Sequence, residues 1–446
     1  MPCPLQATAN QQHKYLPTFG HGTPCPYLAS TSMRINTPQK YGKSRKTIIF
    51  AIPTNAHRYM ETLNVSNFGP VKSANVSLGD LTILVGPQAS GKSLFLELFK
   101  LAKDGMHIVN DLRDYNYILP EDNPSHLLDN YFGMGLHSLF RADSEVKCSG
   151  EKFDISNLTK PQASSSRPAE SVFYVPAQRI LSISDGRPKN FMEFDNTVPY
   201  VLRRFSETLR VFMQSGLGNP DTLFPIDNRL KDNVKQSITN SIFHGAKVVI
   251  DQSTGQRKMM LDIGGMKLPF MTWSAGQKEF MPLLLALYCL TGPPTSVIDK
   301  ANYKWVIVEE PEMGLHPRAI KAVLLEIMEL MQAGYKVIIS THSTMFLEFA
   351  WTCASLGNLS SKDFSNALCE LFDIGNDSTS ASIFENIHSK AIKTHFFAAK
   401  NNGVTAKDIS SLDIDFSPEF ESQWGGLSDF SNRVSDIVSK YYTEKP

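Results

Sequence analysis

The chain has 446 residues, enough for two or three domains with sizeable hydrophobic cores. Its 44 basic and 44 acidic residues balance, so the protein has no overall charge that would attract it to nucleic acid or to an anionic membrane. Nucleic acid could bind only in a local basic groove. The six cysteines form no C-x-x-C pair, so neither a zinc site nor a disulfide framework is indicated. The longest apolar run, 280–290, is too short to span a bilayer and the N-terminus lacks a signal-peptide pattern, so we expect a cytoplasmic protein without a membrane partner.

The first segment, residues 1–60, differs in composition from the remainder of the chain. It is rich in Pro, Gln, Thr and Ser, which predicts a disordered extension. Internal Met33 and Met60 leave open a start further downstream, in which case this segment is an annotation artefact. Alternating apolar and polar residues over 63–71 and 74–78 then predict a β-hairpin.

A phosphate-binding loop follows the hairpin. Thr82–Val85 has the composition of a buried strand, 86–93 has the sequence GPQASGKS, and a helix with apolar periodicity begins at Leu94. The glycines allow successive backbone N–H groups to curl round an anion, and the helix N-terminus adds partial positive charge. We expect Lys92 to reach the β- and γ-phosphates of ATP and Ser93 to ligate Mg²⁺. The other residues expected to bind the nucleotide here are Gly86, Gln88, Ser90 and Gly91. An ordinary glycine–serine turn is the alternative.

Residues 104–245 have the pattern of a partly helical insertion between two halves of a nucleotide-binding core. Apolar spacing predicts helices, and alternation predicts short strands. The predicted pieces are a helix over 104–119, a strand pair over 145–155, a loop over 160–169, a buried strand over 171–175, a helix over 196–216 and a second helix over 227–243.

The second half of the chain alternates strands with helices. The pattern predicts a hairpin over 247–263, a helix after the sequence SAGQKE, a buried strand over 304–311, a helix over 317–334 and a strand over 336–340. Such alternation is typical of an α/β fold with a mostly parallel sheet. From Asp373 onward only 430–442 has helical spacing. The predicted divisions are therefore 1–60, 61–103 (first core part), 104–245 (insertion), 246–372 (second core part) and 373–446 (C-terminal segment).

Two carboxylates end the strand of the second core part. In-line attack on a γ-phosphate requires Mg²⁺ and an oriented water, and open α/β sheets bind ligands at this strand edge. We therefore assign Glu309 to the Mg²⁺ shell and Glu310 to the attacking water. His342, after the next strand, could donate a hydrogen bond to the γ-phosphate. The alternatives are a pair of solvated charges at a strand end and a structural histidine.

A second anion site is predicted where the sequence SAGQ precedes a long apolar helix. Ser274 and the backbone amides near Gly276 would lie at that helix N-terminus. One nucleotide cannot use both this site and the phosphate loop. We therefore expect two subunits placed head to tail, each covering the phosphates of the other; an ordinary helix cap is the alternative.

The order of the motifs resembles that of ATP-binding-cassette (ABC) ATPases of the SMC-like and RecF-like branch. GPQASGKS, SAGQKE, VIVEEPEMGLHP and VIISTHS are similar to Walker A, the signature, Walker B with its D-loop, and the switch histidine. By this resemblance Gln178 corresponds to the Q-loop glutamine, which senses Mg²⁺ and the γ-phosphate. Two positions depart from the pattern: most relatives have Asp where Glu309 stands, which bears on metal geometry and hydrolysis rate, and many have Gly where Ala275 stands.

The chain lacks the coiled-coil arms and the zinc hook of DNA-repair and condensation ATPases. It looks more like the stand-alone ATPases of prokaryotic anti-phage defence, such as those of the phage anti-restriction induced system and Septu, and the ATPase half of overcoming-lysogenization-defect (OLD) nucleases. The resemblance implies an ATP- and Mg²⁺-dependent ATPase, slow in turnover, that oligomerises and controls an effector nuclease. Because no nuclease pattern follows Ser343, we expect the nuclease to be a second chain, with DNA or a phage protein as trigger. The alternatives are a DNA-binding RecF-like repair ATPase and a nucleotide-gated scaffold with little turnover.

Overall fold

The structure is a computed structural model that describes residues 60–160, 168–218, 220–253, 255–375 and 378–412, together with 427, 434, 437 and 438. The predicted N-terminal extension, apart from Met60, lies outside the described residues. So do most of the predicted loop at 160–169 and most of the predicted helix at 430–442.

The described residues contain sixteen strands. They are β1 (Glu61–Phe68), β2 (Val71–Leu78), β3 (Leu81–Val85), β4 (Phe140–Cys148), β5 (Glu151–Lys152), β6 (Val172–Val175), β7 (Ile183–Ser184), β8 (Arg187–Pro188), β9 (Thr222–Phe224), β10 (Lys247–Asp251), β11 (Lys258–Ile263), β12 (Met266–Pro269), β13 (Trp305–Glu309), β14 (Lys336–Thr341), β15 (Ile392–Lys400) and β16 (Gly403–Asp408).

Nine α-helices lie within the same described part of the chain. They are α1 (Lys92–Asp114), α2 (Ser125–Phe132), α3 (Tyr200–Val211), α4 (Asp232–Ile238), α5 (Ala275–Thr291), α6 (Pro317–Gln332), α7 (Thr344–Ser355), α8 (Ser361–Phe372) and α9 (Ser378–His388). Two π-helical turns, Phe212–Gly216 and Thr239–Phe243, extend α3 and α4. Among these helices none is both long and apolar enough to cross a bilayer.

Ten strands form one sheet in the order β5-β4-β1-β2-β16-β15-β3-β14-β13-β6. The five strands from β15 to β6 run parallel to one another. The N-terminal strands β1 and β2 pair antiparallel with each other, and β4 pairs antiparallel with β1. This arrangement confirms the predicted α/β class, the mostly parallel sheet and the antiparallel N-terminal part.

Helices cover both faces of the parallel strands. Every residue of β3 and β13 is buried, as expected for strands that pack against helices on either side. Two apolar clusters result, because successive side chains of a strand point to opposite faces. One contains Val306 and Val308 with the apolar residues of α5 and α6; the other contains Ile307 with Phe95 and Phe99 of α1.

The helix predicted to begin near Asn196 begins at Tyr200 instead. Asp195 accepts a hydrogen bond from the Thr197 backbone N–H at 2.9 Å, which closes a local turn before Pro199. Pro199 is extended (φ −54°, ψ 143°), so the helical conformation begins after it. Similarly, the helix predicted from Asp227 begins at Asp232.

The C-terminal segment contributes two strands that the sequence pattern did not predict. β15 lies parallel to β3, and β16 lies parallel to β2. Thr394 and His395 are each only 1% exposed, so polar residues interrupt the apolar pattern of a buried strand. Strands from all four predicted segments after residue 60 therefore join one sheet, and the division into segments stays a prediction.

Helix α6 buries a carboxyl group that no hydrogen bond compensates. Glu326 is 1% exposed, and neither carboxyl oxygen has a hydrogen-bond partner. Burial, with the nearby charge of Glu329, raises the pKa of Glu326 well above its usual range. Glu329 differs because Lys231 Nζ lies 3.7 Å from its carboxyl group.

We expect Glu326→Met to increase the free energy of unfolding by about 1–3 kcal/mol at pH 8, the usual cost of an unsatisfied buried polar group. The pKa of Glu326 is raised in the folded state, so its carboxyl group destabilises the fold increasingly as pH rises from the unfolded-state pKa through the folded-state pKa. The stability gained by Glu326→Met should therefore be smaller at acid pH. Urea unfolding at pH 5 and pH 8 measures both values. Glu329→Met is the matched control and should gain less; a loss of stability for Glu326→Met at pH 8 would contradict this account.

Candidate nucleotide-binding site

The phosphate loop connects β3 to α1 at the carboxyl edge of the sheet. Gly86 has φ 149°, and a Cβ there would lie 2.6 Å from the backbone oxygen of Phe397, so both conformation and space require glycine. Helix α1 begins at Lys92, directly after Gly91 in a left-handed conformation with φ 78°. The strand–loop–helix order that the GPQASGKS spacing predicts is therefore present.

Lys92 lies folded over the loop that precedes it. Its Nζ donates to the backbone oxygens of Gly86 and Pro87, each at 2.9 Å, and to Ser90 Oγ at 3.3 Å. Burial lowers the pKa of Lys92 to about 8, although Glu310 and other nearby carboxylates oppose the shift. Phosphate oxygens could replace these neutral acceptors and restore a favourable environment for the cation.

Glu309 ends β13 beside the start of α1. It is 3% exposed; its Oε2 accepts from the Ala177 N–H at 3.2 Å, while its Oε1 is buried without a hydrogen-bond partner. Burial raises the pKa of Glu309, and the adjacent Ser93 hydroxyl and the Ala177 amide oppose that shift. Ser93 and Glu309, which the sequence predicts as Mg²⁺ ligands, therefore lie together.

The donor set fits a magnesium ion shared with a nucleotide. In the part of the chain that the structure describes, no group of three or more His, Cys, Asp or Glu side chains could hold a metal. Mg²⁺ usually takes one or two protein carboxylates together with substrate phosphates and water. The unpartnered Glu309 Oε1 and the Ser93 hydroxyl match that pattern.

Glu310 and His342 lie opposite each other at the mouth of this site. His342 Nε2 is 3.6 Å from Glu310 Oε1, and both side chains are about 30% exposed, at 28% and 31%. Burial and the nearby Lys92 lower the pKa of His342, which favours the neutral imidazole at neutral pH. A neutral imidazole can donate one hydrogen bond and accept another.

Two residues near these groups were missed at the sequence level. Glu312 Oε1 accepts from Thr341 Oγ1 and from the backbone N–H of His342, each at 2.7 Å, so it fixes the segment that carries His342. Arg179 is fully buried and donates to the backbone of Glu309 and Glu310. The signal for Glu312 was its place as the third acidic residue of EEPE. The signal for Arg179 was a charged residue just after a buried strand.

Gln178 lies at the same edge but is exposed. It follows Ala177, whose N–H contacts Glu309, so its backbone is close to the carboxylate pair. The role of Gln178 towards Mg²⁺ stays a prediction.

The signature serine lies at the N-terminus of α5. Ser274 caps α5: its Oγ accepts from Gln277 N at 3.3 Å, and Gln277 Oε1 accepts from Ser274 N at 3.2 Å. The N-terminal part of α5 contacts the segment that follows β6, because Arg179 donates to the oxygen of Glu279. Ser274 is thus a helix cap, Ser274 and Ala275 are both exposed, and the role of Ser274 towards a nucleotide stays a prediction.

Comparisons with known proteins found a matching family and a relative. Residues 214–348 match a family described as an AAA domain, putative AbiEii toxin, type IV toxin–antitoxin system. The chain is also 21% identical over 340 residues to the Old nuclease of Escherichia phage P2, which covers 65% of this chain and 57% of that protein. The match thus spans less than two thirds of the relative. These matches confirm the resemblance to ABC-type ATPases of the SMC-like and OLD-like kind.

Solved structures with similar chain traces were also found. An SMC head bound to the C-terminal winged-helix domain of ScpA has a TM-score of 0.36 at 10% identity, covering 78% of this chain and 97% of that chain. The SMC head domain of Thermotoga maritima has a TM-score of 0.33 at 11% identity, with 78% and 98% covered. A dimeric bacterial ABC transporter cassette has a TM-score of 0.29 at 11% identity, with 64% and 90% covered.

We expect Lys92→Ala to weaken ATP binding by about 10- to 100-fold, the effect of removing a charged hydrogen-bond donor. In the unaltered protein the protonated amine binds phosphate, so affinity should fall as pH rises above the Lys92 pKa of about 8. Titration with a fluorescent ATP analogue without Mg²⁺, from neutral to alkaline pH, measures this. Lys103→Ala is the control, because Lys103 lies further along α1 and forms an ion pair with Glu61 of β1 at 2.6 Å. Equal ATP affinity in Lys92→Ala and the unaltered protein would contradict the assignment.

Proposed function

We propose that the protein is an ATPase that associates head to tail around ATP and controls a separate effector nuclease in anti-phage defence. The observation that carries the ATPase proposal is the gathering of Lys92, Ser93, Glu309, Glu310 and His342 at one edge of the sheet. These groups supply a phosphate-binding cation, oxygen ligands and an acid–base pair, which phosphoryl transfer to water requires.

Each residue has a distinct role in the proposed reaction. Lys92 exchanges its loop carbonyls for β- and γ-phosphate oxygens, and Ser93 and Glu309 would hold Mg²⁺. When bound, that ion neutralises charge developing on the transferred phosphoryl group. Glu310 orients the attacking water and accepts its proton, and His342, held by Glu312, donates to the γ-phosphate. Gly86, Gln88, Ser90, Gly91 and Gln178 complete the proposed nucleotide contacts.

The proposed assembly rests on the position of the signature. Ser274 caps α5, Gly276 lies in its first turn, and Ser274 and Ala275 are exposed. We propose that the phosphates held by Lys92 meet Ser274 of another chain and not Ser274 of the same chain. In a head-to-tail pair, the exposed end of α5 from one chain would cover the phosphates bound by the other, and a helix N-terminus suits such an anion.

The defence role is supported by the kinds of proteins that the chain resembles. One relative is named as a nuclease and comes from a phage, and the matched family is described by a putative toxin. A separate nuclease chain is proposed as the effector because no nuclease pattern follows Ser343 in this sequence. The balanced charge of 44 basic and 44 acidic residues argues against a DNA-gripping repair ATPase.

We expect Glu310→Gln to retain ATP affinity and to lower turnover by about 10²- to 10⁴-fold, the usual contribution of a general base. Bound ATP should then persist and hold two chains together. Phosphate release and light scattering with and without Mg-ATP measure the two effects. Glu348→Gln, on an exposed position of α7, is the control and should behave like the unaltered protein; unchanged hydrolysis in Glu310→Gln would rule out the assigned role.

We expect the product of the neighbouring gene to co-purify with this protein and to be released or activated on ATP turnover. Co-expression with a tagged chain, followed by nuclease assays of the bound and released fractions, tests this. The Glu310→Gln variant should retain the partner under conditions in which the unaltered protein releases it. A chain that purifies alone and shifts duplex DNA in a salt-dependent manner would instead support the repair alternative.

A further inference from the structure

Arg179 connects three elements through backbone carbonyls. It is 0% exposed and follows β6. Its Nε donates to the oxygen of Glu279 at 3.0 Å, and its terminal nitrogens donate to the oxygens of Glu309 at 3.1 Å and Glu310 at 3.2 and 3.3 Å. A buried cation is costly unless hydrogen bonds compensate it, and the planar guanidinium can serve several acceptors at fixed angles. The bonds thus join the end of β13, the residue that follows it and the N-terminal part of α5.

The backbone held by Arg179 is strained. Glu310 has φ 42°, a left-handed conformation that is uncommon for residues other than glycine. Pro311 follows and itself disfavours helical conformations at the preceding residue. Such conformations cost about 1–3 kcal/mol and persist only where surrounding contacts impose them. Here two guanidinium N–H groups hold the Glu310 oxygen, and the Glu310 N–H donates to the Ser340 oxygen at 2.8 Å.

A second contact joins the N-terminal part of α5 to the segment that follows Glu310. A Cβ on Gly276 would lie 2.7 Å from the backbone oxygen of Gly314, so the signature turn and this segment approach as closely as glycine allows. The N-terminal part of α5 is therefore fixed to residues 309–314 at two points: Glu279 through Arg179, and Gly276 against Gly314. A displacement of this part of the helix would move both contacts.

We infer that Arg179 is a positioning residue that couples the N-terminal part of the signature helix to the strained peptide that carries Glu310. This inference rests on the proposed ATPase function and deepens it. Contact between Ser274 and the phosphates of a second chain would act on α5, and Arg179 would pass that movement to the Glu310 carbonyl. Hydrolysis would then depend on engagement of the signature, although Arg179 touches neither nucleotide nor water.

Arg179→Met and Arg179→Lys test this coupling. We expect Arg179→Met to lower kcat about 100-fold, the loss typical of a roughly 1 Å misplacement of a catalytic group. KM and the affinity for ATP should change little, because Lys92 and the phosphate loop are untouched. Arg179→Lys should recover part of kcat, since an ammonium group can serve some of the same carbonyls.

A double-mutant cycle separates positioning from a general structural effect. If Arg179 acts through Glu310, Arg179→Met should not reduce further the single-turnover rate of Glu310→Gln, because residues that act as a unit are not additive. The same fold-loss in both backgrounds would overturn the inference. If Arg179→Met does not fold, the same comparison is made with Arg179→Lys.

Arg203 offers a matched control. It is also 0% exposed, but it contacts Tyr117 Oη at 2.8 Å and the ring of Phe191 at 4.7 Å, apart from the site. Arg203→Met should lower the melting temperature while kcat per folded molecule stays unchanged. Turnover that depends on Lys92 but not on Arg179 overturns this inference alone, whereas absence of any Lys92-dependent turnover overturns the proposed function and the inference with it.

Discussion

The register of the parallel strands is the constraint on which the site depends. Val85 of β3 lies opposite Thr341 of β14, and Ser340 lies opposite Glu309 of β13. The hydrogen bonds that align these strands therefore also bring the phosphate loop, His342 and the carboxylate pair to one edge. A shift of one residue in either pairing would turn every side chain of a strand to the opposite face, so the buried apolar clusters on both faces enforce the register.

The same edge concentrates charged groups away from water. Burial lowers the pKa of Lys92 and raises that of Glu309, so in each case the charged form is disfavoured in the nucleotide-free protein. Phosphate would supply the counter-charge for Lys92, and a cation would supply it for Glu309. Functional sites commonly break the rules that stabilise the rest of a fold, and here the cost lies in desolvated groups that ligands would satisfy. The strained Glu310 peptide belongs to the same pattern.

The local motifs were predictable because their structural causes are local. The glycine spacing of 86–93 dictates a loop that surrounds an anion, and the apolar run before Glu309 dictates a buried strand ending in carboxylates. The roles of Arg179 and Glu312 have only weak signals in the sequence, because their partners lie on strands and loops that only the sheet brings together. β15 was missed for a related reason: it pairs with β3 across more than 300 residues of chain, and Thr394 and His395 conceal its buried character. Long-range pairing of this kind leaves no local signal.

Intersubunit complementation tests most directly the proposal that each ATP site is completed by the signature of a second chain. Lys92→Ala removes the phosphate loop's cation, and Ser274→Glu places a negative charge where the signature would meet phosphate; each variant alone should be inactive. In a mixed pair, one of the two sites combines an intact phosphate loop with an intact signature, so an equimolar mixture should recover about a quarter of the unaltered turnover. A mixture that stays as inactive as its components, while both variants still fold and associate, would contradict the account.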